Sequence, residues 1–276
     1  MPDARPTLTV ATLNLRYGSA DDGENAWPLR QPIVLRALAS IGADLLGTQE
    51  GLPFQLEEID AAFPAFGRFG LGRYHGVAVD RPHEAYSGEH CAVYYRRPRL
   101  ELLETETKWL SATPDEPGTT GWGADLARVV TLGRLRDAAT RAELLHLNTH
   151  FHWGREVTTN SVAALASLIG RADADTPVIV TGDFNLPPGS PEHRTLLGLE
   201  LAGDRRLVDA YALSGDGDRD DGTSHSFRGV PERRIDWILV SSDVHVRSAR
   251  IVRYEERGRY PSDHFPVVAD LELPAR

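Results

Sequence analysis

The stretch VIVTGDFN, residues 178–185, joins an apolar β-strand pattern to two polar residues at its end. Val178 to Asp183 is predicted to be a buried strand, because β-branched residues follow one another with little polar interruption. If the chain stays extended, Asp183 and Asn185 point to one side and Phe184 points to the other. The two polar groups could then orient one water molecule. An Asx turn ahead of the following prolines is the alternative interpretation.

Other apolar runs along the chain are also bounded by polar residues. A residue of this kind, taken alone, is more often a cap or a turn residue than a catalytic group. Polar groups at several strand ends can nevertheless converge on one rim of a sheet. The residues in question are Asn14, Glu50, His150, Asp236, Asp263 and His264.

The chemistry of these side chains favours a metal-dependent reaction. Amide and carboxylate oxygens are the hard ligands that Mg²⁺ prefers, and Asn14, Glu50 and Asp263 fit that role. Mg²⁺ also keeps waters that can serve as the nucleophile. Asp236 and His264 pair an acid with an imidazole, and a carboxylate beside a histidine fixes its tautomer and raises its basicity.

Short strand patterns outnumber helical ones along the chain. This balance predicts mixed sheets with helices outside, and we place no domain boundary within residues 1–276. The predicted strands are Leu8 to Leu15, Leu45 to Glu50, His90 to Tyr95, Leu100 to Lys108, Arg128 to Arg136, Glu143 to His150, Val178 to Asp183, Ile235 to Ser241, Val244 to Tyr254 and Pro266 to Leu273. The predicted helices are Gln31 to Ile41, Pro53 to Phe63, Glu156 to Ile169 and Pro191 to Leu201.

Composition narrows the possible partners and compartment. The chain has 276 residues, a formal net charge of −10 and a single lysine, Lys108, so bulk charge does not favour long duplex DNA. Cys91 is the only cysteine, which excludes an intramolecular disulfide and a zinc site built on paired thiolates. The N-terminal residues show no signal-peptide pattern, and no apolar run approaches the ~20 residues of a membrane helix. We therefore expect a cytoplasmic protein without a membrane partner.

Two other motifs fail on inspection. The acidic segment Gly215–Gly222 has aspartates at calcium-loop spacing, but Asp221 replaces the required glycine and Phe227 replaces the bidentate glutamate. The glycines at 70, 72 and 76 do not match a dinucleotide fingerprint. The sequence also lacks P-loop, zinc-protease and serine-hydrolase motifs.

The polar strand ends lie in blocks that resemble the endonuclease/exonuclease/phosphatase superfamily of metal-dependent phosphoesterases. The blocks follow the family's order over nearly the whole chain, and some segments resemble its poorly characterised bacterial branch. They are TLNLRYG at 12–18, GTQEG at 47–51, NTHFHW at 148–153, TGDFNLPP at 181–188, RRIDWILVS at 233–241 and YPSDHFPVVADL at 260–271.

The resemblance implies a fold and a set of roles. The implied fold is a four-layer α/β/β/α sandwich with two packed mixed β-sheets. Asn14 and Glu50 would hold the metal, with Asp263 close to it. Asp183 and Asn185 would position or activate the attacking water. His264, oriented by Asp236, would contact the phosphate or help to deprotonate the water, and His150 would stabilise the phosphoryl oxygens.

The chain also departs from parts of that pattern. Arg16 stands where abasic-site endonucleases have an aspartate, so that ligand is missing. His150 replaces their tyrosine, as in the deoxyribonuclease and deadenylase branches. His152 stands where many bacterial relatives have aspartate, and its role stays open, as does that of Glu89. Trp27, Trp109, Trp122 and Trp153 are expected to be packing residues.

We therefore predict a Mg²⁺- or Mn²⁺-dependent phosphoester hydrolase that uses in-line attack of water without a covalent intermediate. Arg73 and Arg128 are candidate clamps for the developing negative charge. The acidic balance favours a small phosphoester or short oligonucleotide over long duplex DNA, and we expect a monomer. The alternatives are an endo- or exonuclease acting on DNA or RNA, and a non-catalytic scaffold that binds a phosphorylated partner.

Overall fold

Two β-sheets form the centre of the computed structural model, which describes residues 6–78, 87–214 and 221–274 of the chain. The strands of the first sheet are β1 (Thr7–Asn14), β2 (Leu45–Gln49), β3 (Phe66–Phe69), β4 (Val93–Arg96), β12 (His245–Ile251) and β13 (Val267–Glu272). Those of the second are β5 (Leu100–Trp109), β6 (Val129–Asp137), β7 (Glu143–His150), β8 (Val178–Asp183), β9 (Glu200–Leu201), β10 (Arg205–Asp209) and β11 (Asp236–Ser241). Their spatial orders are β12-β13-β1-β2-β4-β3 and β5-β6-β7-β8-β11-β10-β9.

Both sheets are mixed, and helices cover their outer faces. Helices α1 (Trp27–Ile41) and α2 (Pro53–Ala62) pack on the first sheet through one apolar cluster. Helices α3 (Arg155–Ile169) and α4 (Pro191–Leu197) pack on the second through another. The short α5 (Ala210–Ser214) follows β10. This confirms the predicted four-layer α/β/β/α sandwich. No helix in the described parts of the chain is long and apolar enough to cross a membrane.

Most predicted elements occur within a few residues of their expected bounds. Helix α1 begins at Trp27 rather than at the predicted Gln31, and helix α4 ends at Leu197 whereas the prediction ran on to Leu201. Gly198 caps the helix, and Leu201 then pairs with Arg205 as a short edge strand. Strands β3 and β10 were not predicted, and the predicted Val244 to Tyr254 strand shortens to β12.

A buried hydrogen-bond network crosses the space between the two sheets. Gln49 Nε2 donates to Asn148 Oδ1 at 2.7 Å, which links the first sheet to the second. Thr181 Oγ1 donates to the same oxygen at 3.0 Å, and His146 Nε2 lies 3.0 Å from Thr181 Oγ1. Gly47 allows this approach, since a Cβ there would lie 2.3 Å from Thr181 Oγ1. The network therefore sets the lateral position of one sheet against the other.

Strand register brings the polar strand ends to one rim. In the second sheet, His150 is the parallel partner of Asp183, and Asp183 is the antiparallel partner of Asp236. In the first sheet, Asn14 is the parallel partner of Gln49, the residue before Glu50. The rim is therefore built from three neighbouring strands of one sheet and two of the other.

Candidate active site

The amide of Asn14 connects the two halves of the rim. Its Nδ2 donates to Glu50 Oε1 at 2.9 Å and to Asp183 Oδ2 at 3.0 Å. Its Oδ1 accepts from the backbone N–H of Arg16 at 2.8 Å. The amide nitrogen of Asn14 therefore holds the two carboxylates in place by donating to both of them. The amide oxygen is bound to the backbone N–H of Arg16 instead.

Glu50 follows the end of β2 in a left-handed backbone conformation with φ +61°. Such a conformation costs a residue other than glycine about 1–2 kcal/mol, and strain of this kind concentrates at functional sites. The conformation lets Glu50 Oε2 accept from the backbone N–H of Tyr17 at 3.0 Å while Oε1 accepts from Asn14. Glu50 is thereby fixed at the rim.

The loop before β13 carries Asp263 and His264 to the same place. Ser262 Oγ donates to the backbone carbonyl of Asn14 at 2.6 Å and so ties this loop to β1. Burial raises the pKa of the Asp263 carboxyl, and the nearby charge of Glu50 raises it further. Two carboxyl groups that repel each other at a half-buried rim are a donor set that a divalent cation would stabilise.

A buried arginine, which the sequence analysis did not single out, holds the loops around this rim. Arg30, on α1, donates to the carbonyl oxygens of Leu15 at 2.7 Å, Arg16 at 2.6 Å and Pro261 at 2.9 Å. Burial lowers the pKa of its guanidinium to about 10. Arg30 therefore joins the end of β1 to the loop that carries Asp263. The sequence does carry a signal for Arg30. In the segment WPLRQ, residues 27–31, it is a charged residue on the helix face that otherwise carries apolar side chains.

Asp183, Asp236 and His264 form a compact buried group whose candidate ligand atoms all lie within 4.8 Å of one another. Asp236 Oδ2 lies 2.8 Å from His264 Nδ1, and Asp183 Oδ2 lies 3.9 Å from it. Burial and the charge of Asp236 raise the pKa of Asp183 to about 7. Burial opposes a charged His264, yet the carboxylates around it, led by Asp236, raise its pKa well above the usual value. The carboxylate of Asp236 therefore shifts the pKa values of both Asp183 and His264 upward.

Asn185 reaches the rim through a turn rather than through an extended strand. Its φ is +55°, and its backbone N–H donates to Asp183 Oδ1 at 2.9 Å, so the Asx turn that the sequence left as an alternative is present. Phe184 points away and stacks on Trp237 with ring centroids 4.3 Å apart. Phe184 therefore points away from the two polar side chains, as expected, but a turn rather than an extended strand places it there.

His150 lies between Asn185 and Arg128. Its Nε2 is 3.0 Å from Asn185 Nδ2 and 3.5 Å from Asp183 Oδ2, and its Nδ1 is 2.8 Å from Arg128 Nη1. Burial, together with the charge of Arg128, lowers the pKa of His150 well below its usual value. The pKa values of the two histidines of the rim are therefore shifted in opposite directions.

The two candidate clamps belong to one buried ionic group beside His150. Arg73 Nη1 lies 2.9 Å from Glu89 Oε2, and Arg128 Nη1 lies 3.5 Å from the same oxygen. Both arginines are buried, and they line a small pocket together with Glu50 and His150. His152, whose role the sequence left open, lies outside this ionic group. Its Nε2 is 2.5 Å from Asp125 Oδ1, and its Nδ1 is 2.7 Å from the carbonyl oxygen of Trp153.

The expectation for the tryptophans is wrong at one position. Trp27 and Trp109 are buried, and Trp122 packs against an apolar cluster. Trp153 is 62% exposed, and its Nε1 donates to Asn185 Oδ1 at 2.8 Å. Trp153 lies in the loop after β7, where no helix or sheet of the described chain covers it.

In the acidic segment Gly215–Gly222, which was rejected as a calcium loop, residues 215–220 lie outside the described part of the chain.

Two donor sets could hold a divalent metal ion. Hard-oxygen chemistry favours the carboxylates of Glu50 and Asp263, the set predicted from the sequence together with Asn14. In the Asp183–Asp236–His264 group, Nδ1 of His264 is occupied by its hydrogen bond to Asp236. That imidazole is also a poorer ligand for Mg²⁺ than an oxygen donor. The rim thus offers a place for a hard cation beside a place for proton transfer.

Comparison with known proteins agrees with this architecture. The family described as "Endonuclease/Exonuclease/phosphatase family" matches residues 11–264. The structure of an endonuclease/exonuclease/phosphatase from Bacteroides vulgatus is similar with a TM-score of 0.86 and 31% identity, covering 98% of this chain and 100% of that one. A mannosyl-6-phosphatase from Bacteroides thetaiotaomicron is similar with a TM-score of 0.81 and 31% identity, covering 96% and 99%.

Sequence similarity also extends to a protein of animals. Nocturnin from Drosophila melanogaster is 24% identical over 248 residues, which cover 74% of this chain and 37% of that protein. The chain therefore spans little more than a third of that longer relative. The family match covers most of the chain, includes the strand-end blocks predicted to carry the chemistry, and coincides with the rim described above. The chain belongs to the endonuclease/exonuclease/phosphatase family.

Proposed function

We propose that this protein is a Mg²⁺- or Mn²⁺-dependent hydrolase of small phosphoesters. The observation that carries the proposal is the register of β7, β8 and β11, which sets His150, Asp183 and Asp236 side by side at one rim. The carboxylates Glu50 and Asp263 lie at the same rim. Phosphoryl transfer needs positioned charges and a positioned nucleophile more than it needs covalent chemistry, and this rim offers both.

In the proposed reaction, water attacks phosphorus in line as the bond to the ester oxygen breaks. Asp183 positions or activates that water with Asn185, and His150 donates to a phosphoryl oxygen. His264, oriented by Asp236, contacts the phosphate in its charged form or helps to deprotonate the water in its neutral form. A divalent ion, when bound by Glu50 and Asp263 with Asn14 supporting them, would supply positive charge against the phosphoryl oxygens.

The substrate class rests on charge and on similarity. The net charge of −10 and the single lysine favour a ligand with few phosphates over long duplex DNA. The similar Bacteroides thetaiotaomicron protein is named a mannosyl-6-phosphatase, so sugar phosphates are the first class to test. We also propose that the protein is a monomer in a cytoplasmic, reducing compartment, in keeping with its lone buried cysteine.

One observation favours a second candidate, a nuclease for short single strands. Trp153 exposes its ring at the rim, and an exposed aromatic ring can stack with a nucleobase. Replacing Trp153 by Ala would weaken oligonucleotide cleavage through KM if bases stack there. The KM for a sugar phosphate, which has no base to stack, should change little, whereas kcat should fall for both substrates because Trp153 Nε1 no longer holds Asn185 Oδ1.

The deciding experiment is an activity screen with chelated protein and with added Mg²⁺ or Mn²⁺. The substrates are sugar phosphates, a small phosphodiester, and single-stranded and duplex oligonucleotides. We expect turnover of a small phosphoester only with metal. Preferred cleavage of oligonucleotides would support the nuclease candidate. Binding of phosphoesters without any product would support the scaffold alternative.

A further inference from the structure

The contact between Arg128 and His150 fixes where the histidine carries its proton. Arg128 Nη1 lies 2.8 Å from His150 Nδ1, and both side chains are buried. A guanidinium has five N–H donors, has no acceptor and keeps its charge in proteins. Nδ1 must therefore present its lone pair to Arg128. The single proton of the ring then lies on Nε2, and a doubly protonated ring would set two donors against each other.

The opposite side of the ring faces a second donor. Asn185 Oδ1 accepts from Trp153 Nε1 at 2.8 Å, and Asn185 Nδ2 donates to the carbonyl of Phe151 at 2.9 Å. These two bonds fix the amide orientation, so Nδ2 faces His150 Nε2 at 3.0 Å. Two N–H groups at this distance cannot satisfy each other. They can both donate to one shared acceptor within reach of both nitrogens, as the donors of an oxyanion hole do.

The surroundings of Arg128 keep its guanidinium in this place. Glu89 Oε2 lies 3.5 Å from Arg128 Nη1 and 2.9 Å from Arg73 Nη1, so one carboxylate lies between two cations. Arg128 Nε is buried and has no hydrogen-bond partner within the described residues. An unsatisfied buried donor costs stability. The guanidinium is therefore held through Nη1, by Glu89 on one side and by His150 on the other.

We propose that Arg128 is a positioning residue that holds His150 as the Nε2–H tautomer, so that His150 and Asn185 donate together to one non-bridging oxygen of the substrate phosphate. This inference rests on the proposed phosphoester hydrolysis for its consequence but not for the tautomer itself. It also separates the two histidines of the rim. His150 cannot accept a proton at Nδ1, so the base of the reaction lies elsewhere in the site.

The tautomer can be read directly by NMR in the full-length protein labelled with ¹⁵N-histidine. The signals of His150 are assigned by their loss in His150→Gln. We expect a protonated Nε2 and an unprotonated Nδ1 in the wild-type protein, both without metal and with Mg²⁺. Inorganic phosphate added with Mg²⁺ should shift the Nε2–H signal of His150. A wild-type His150 protonated at Nδ1, or at both nitrogens, would overturn the proposal even if the enzyme proves to be an excellent phosphatase.

Variants of Arg128 test whether the tautomer matters. In Arg128→Met we expect averaged nitrogen shifts from two tautomers and a kcat about tenfold lower, with KM changed by less than about threefold. Arg128→Lys keeps a donor and should restore part of both properties. Arg134→Met, which removes a half-exposed arginine of β6, is the matched control and should change neither. An unchanged tautomer in Arg128→Met, or a changed tautomer with full kcat, would contradict the positioning role. If Arg128→Met does not fold, the wild-type spectrum and Arg128→Lys still decide.

Discussion

Asp236 Oδ2 lies 2.8 Å from Nδ1 of His264, in a place where both side chains are buried. The remaining oxygen of that carboxylate, Oδ1, is buried and has no hydrogen-bond partner within the described residues. An unpartnered carboxylate oxygen is costly to bury unless positive charge lies close by. The Asp236 carboxylate in turn stabilises the charged form of the imidazole, and this raises the pKa of His264.

Metal dependence is the first expected property. Activity should vanish in chelator and return with Mg²⁺ or Mn²⁺. Glu50→Gln should raise the metal concentration needed for half-maximal activity by about tenfold or more, since one ligand charge is lost while shape is kept. Titration of activity against metal measures this, and Glu57→Gln, on the surface of α2, is the matched control. Full turnover by metal-free protein would contradict the prediction.

The acid and histidine of the buried group should act in the same step. Asp183→Asn and His264→Ala should each lower kcat by about 10² or more, the scale of a lost positioned acid or base. The double variant should lose much less than the product of the two single effects. Circular dichroism serves as the check that each variant is folded. A single variant within a few-fold of the parent would show that the role is assigned to the wrong residue.

Salt dependence should report the size of the substrate. A small phosphoester meets few positive side chains, so log K against log salt should have a shallow slope, equivalent to roughly one to three phosphate contacts. Affinity is measured at fixed excess metal for a sugar phosphate, a single strand and a duplex. Efficient duplex cleavage with a slope equivalent to about six or more contacts would instead identify a nuclease.

The buried histidine between the sheets predicts loss of stability in acid. Burial lowers the pKa of His146 from its ordinary 6.5 to about 3. The folded state therefore binds this proton less readily than the unfolded chain does. The contribution of His146 to stability is constant above pH 6.5 and falls as the pH drops from 6.5 towards 3. At pH 4.5 the loss amounts to about 3 kcal/mol in the free energy of unfolding.

His146→Gln keeps a donor near Thr181 but cannot take up the proton. Urea unfolding at pH 7 and pH 4.5 should show that this variant loses about 3 kcal/mol less between the two conditions than the parent does. His75→Gln removes an exposed histidine and should lose as much as the parent. Equal acid sensitivity of His146→Gln and the parent would contradict the assigned burial.

Close approach of the two sheets depends on a glycine. A Cβ at Gly47 would lie 2.3 Å from Thr181 Oγ1 and 2.5 Å from Asn148 Oδ1. Gly47→Ala should therefore lower the free energy of unfolding by about 3 kcal/mol, as overpacking does. It should also reduce kcat, because the rim draws residues from both sheets. Gly170→Ala, at the end of α3 with its Cβ 3.4 Å from a carbonyl oxygen, should change stability by less than about 1 kcal/mol.

The residues of the rim could be predicted because an apolar run that ends at a polar residue is a pattern visible in the sequence alone. Val178 to Asp183 and Glu143 to His150 are strands with the bounds predicted for them. Strand β10 was missed, since Arg205 and Arg206 interrupt its apolar pattern and its pairing with β11 is a tertiary property. Arg128 was singled out only as a clamp. Its contact with His150 spans 22 residues and follows from the register of β6 against β7.

The exposure of Trp153 shows another limit of the sequence. An indole in a block of apolar and polar residues gives no local sign of which side of the loop it occupies. The orientation of Asn14 is similar, because the residue type allows either its oxygen or its nitrogen to face the carboxylates. Only the positions of Glu50 and Asp183 select the nitrogen.

The bond from Ser262 to the carbonyl of Asn14 joins residues 248 positions apart, and β1 pairs with β13 beside it. During synthesis, Asn14 leaves the ribosome long before Asp263 and His264 do. A nascent chain therefore holds no assembled site until nearly all of the described residues have emerged. Contacts of such long sequence separation also form late and slowly. The candidate site is therefore completed only when the two ends of the described chain come together.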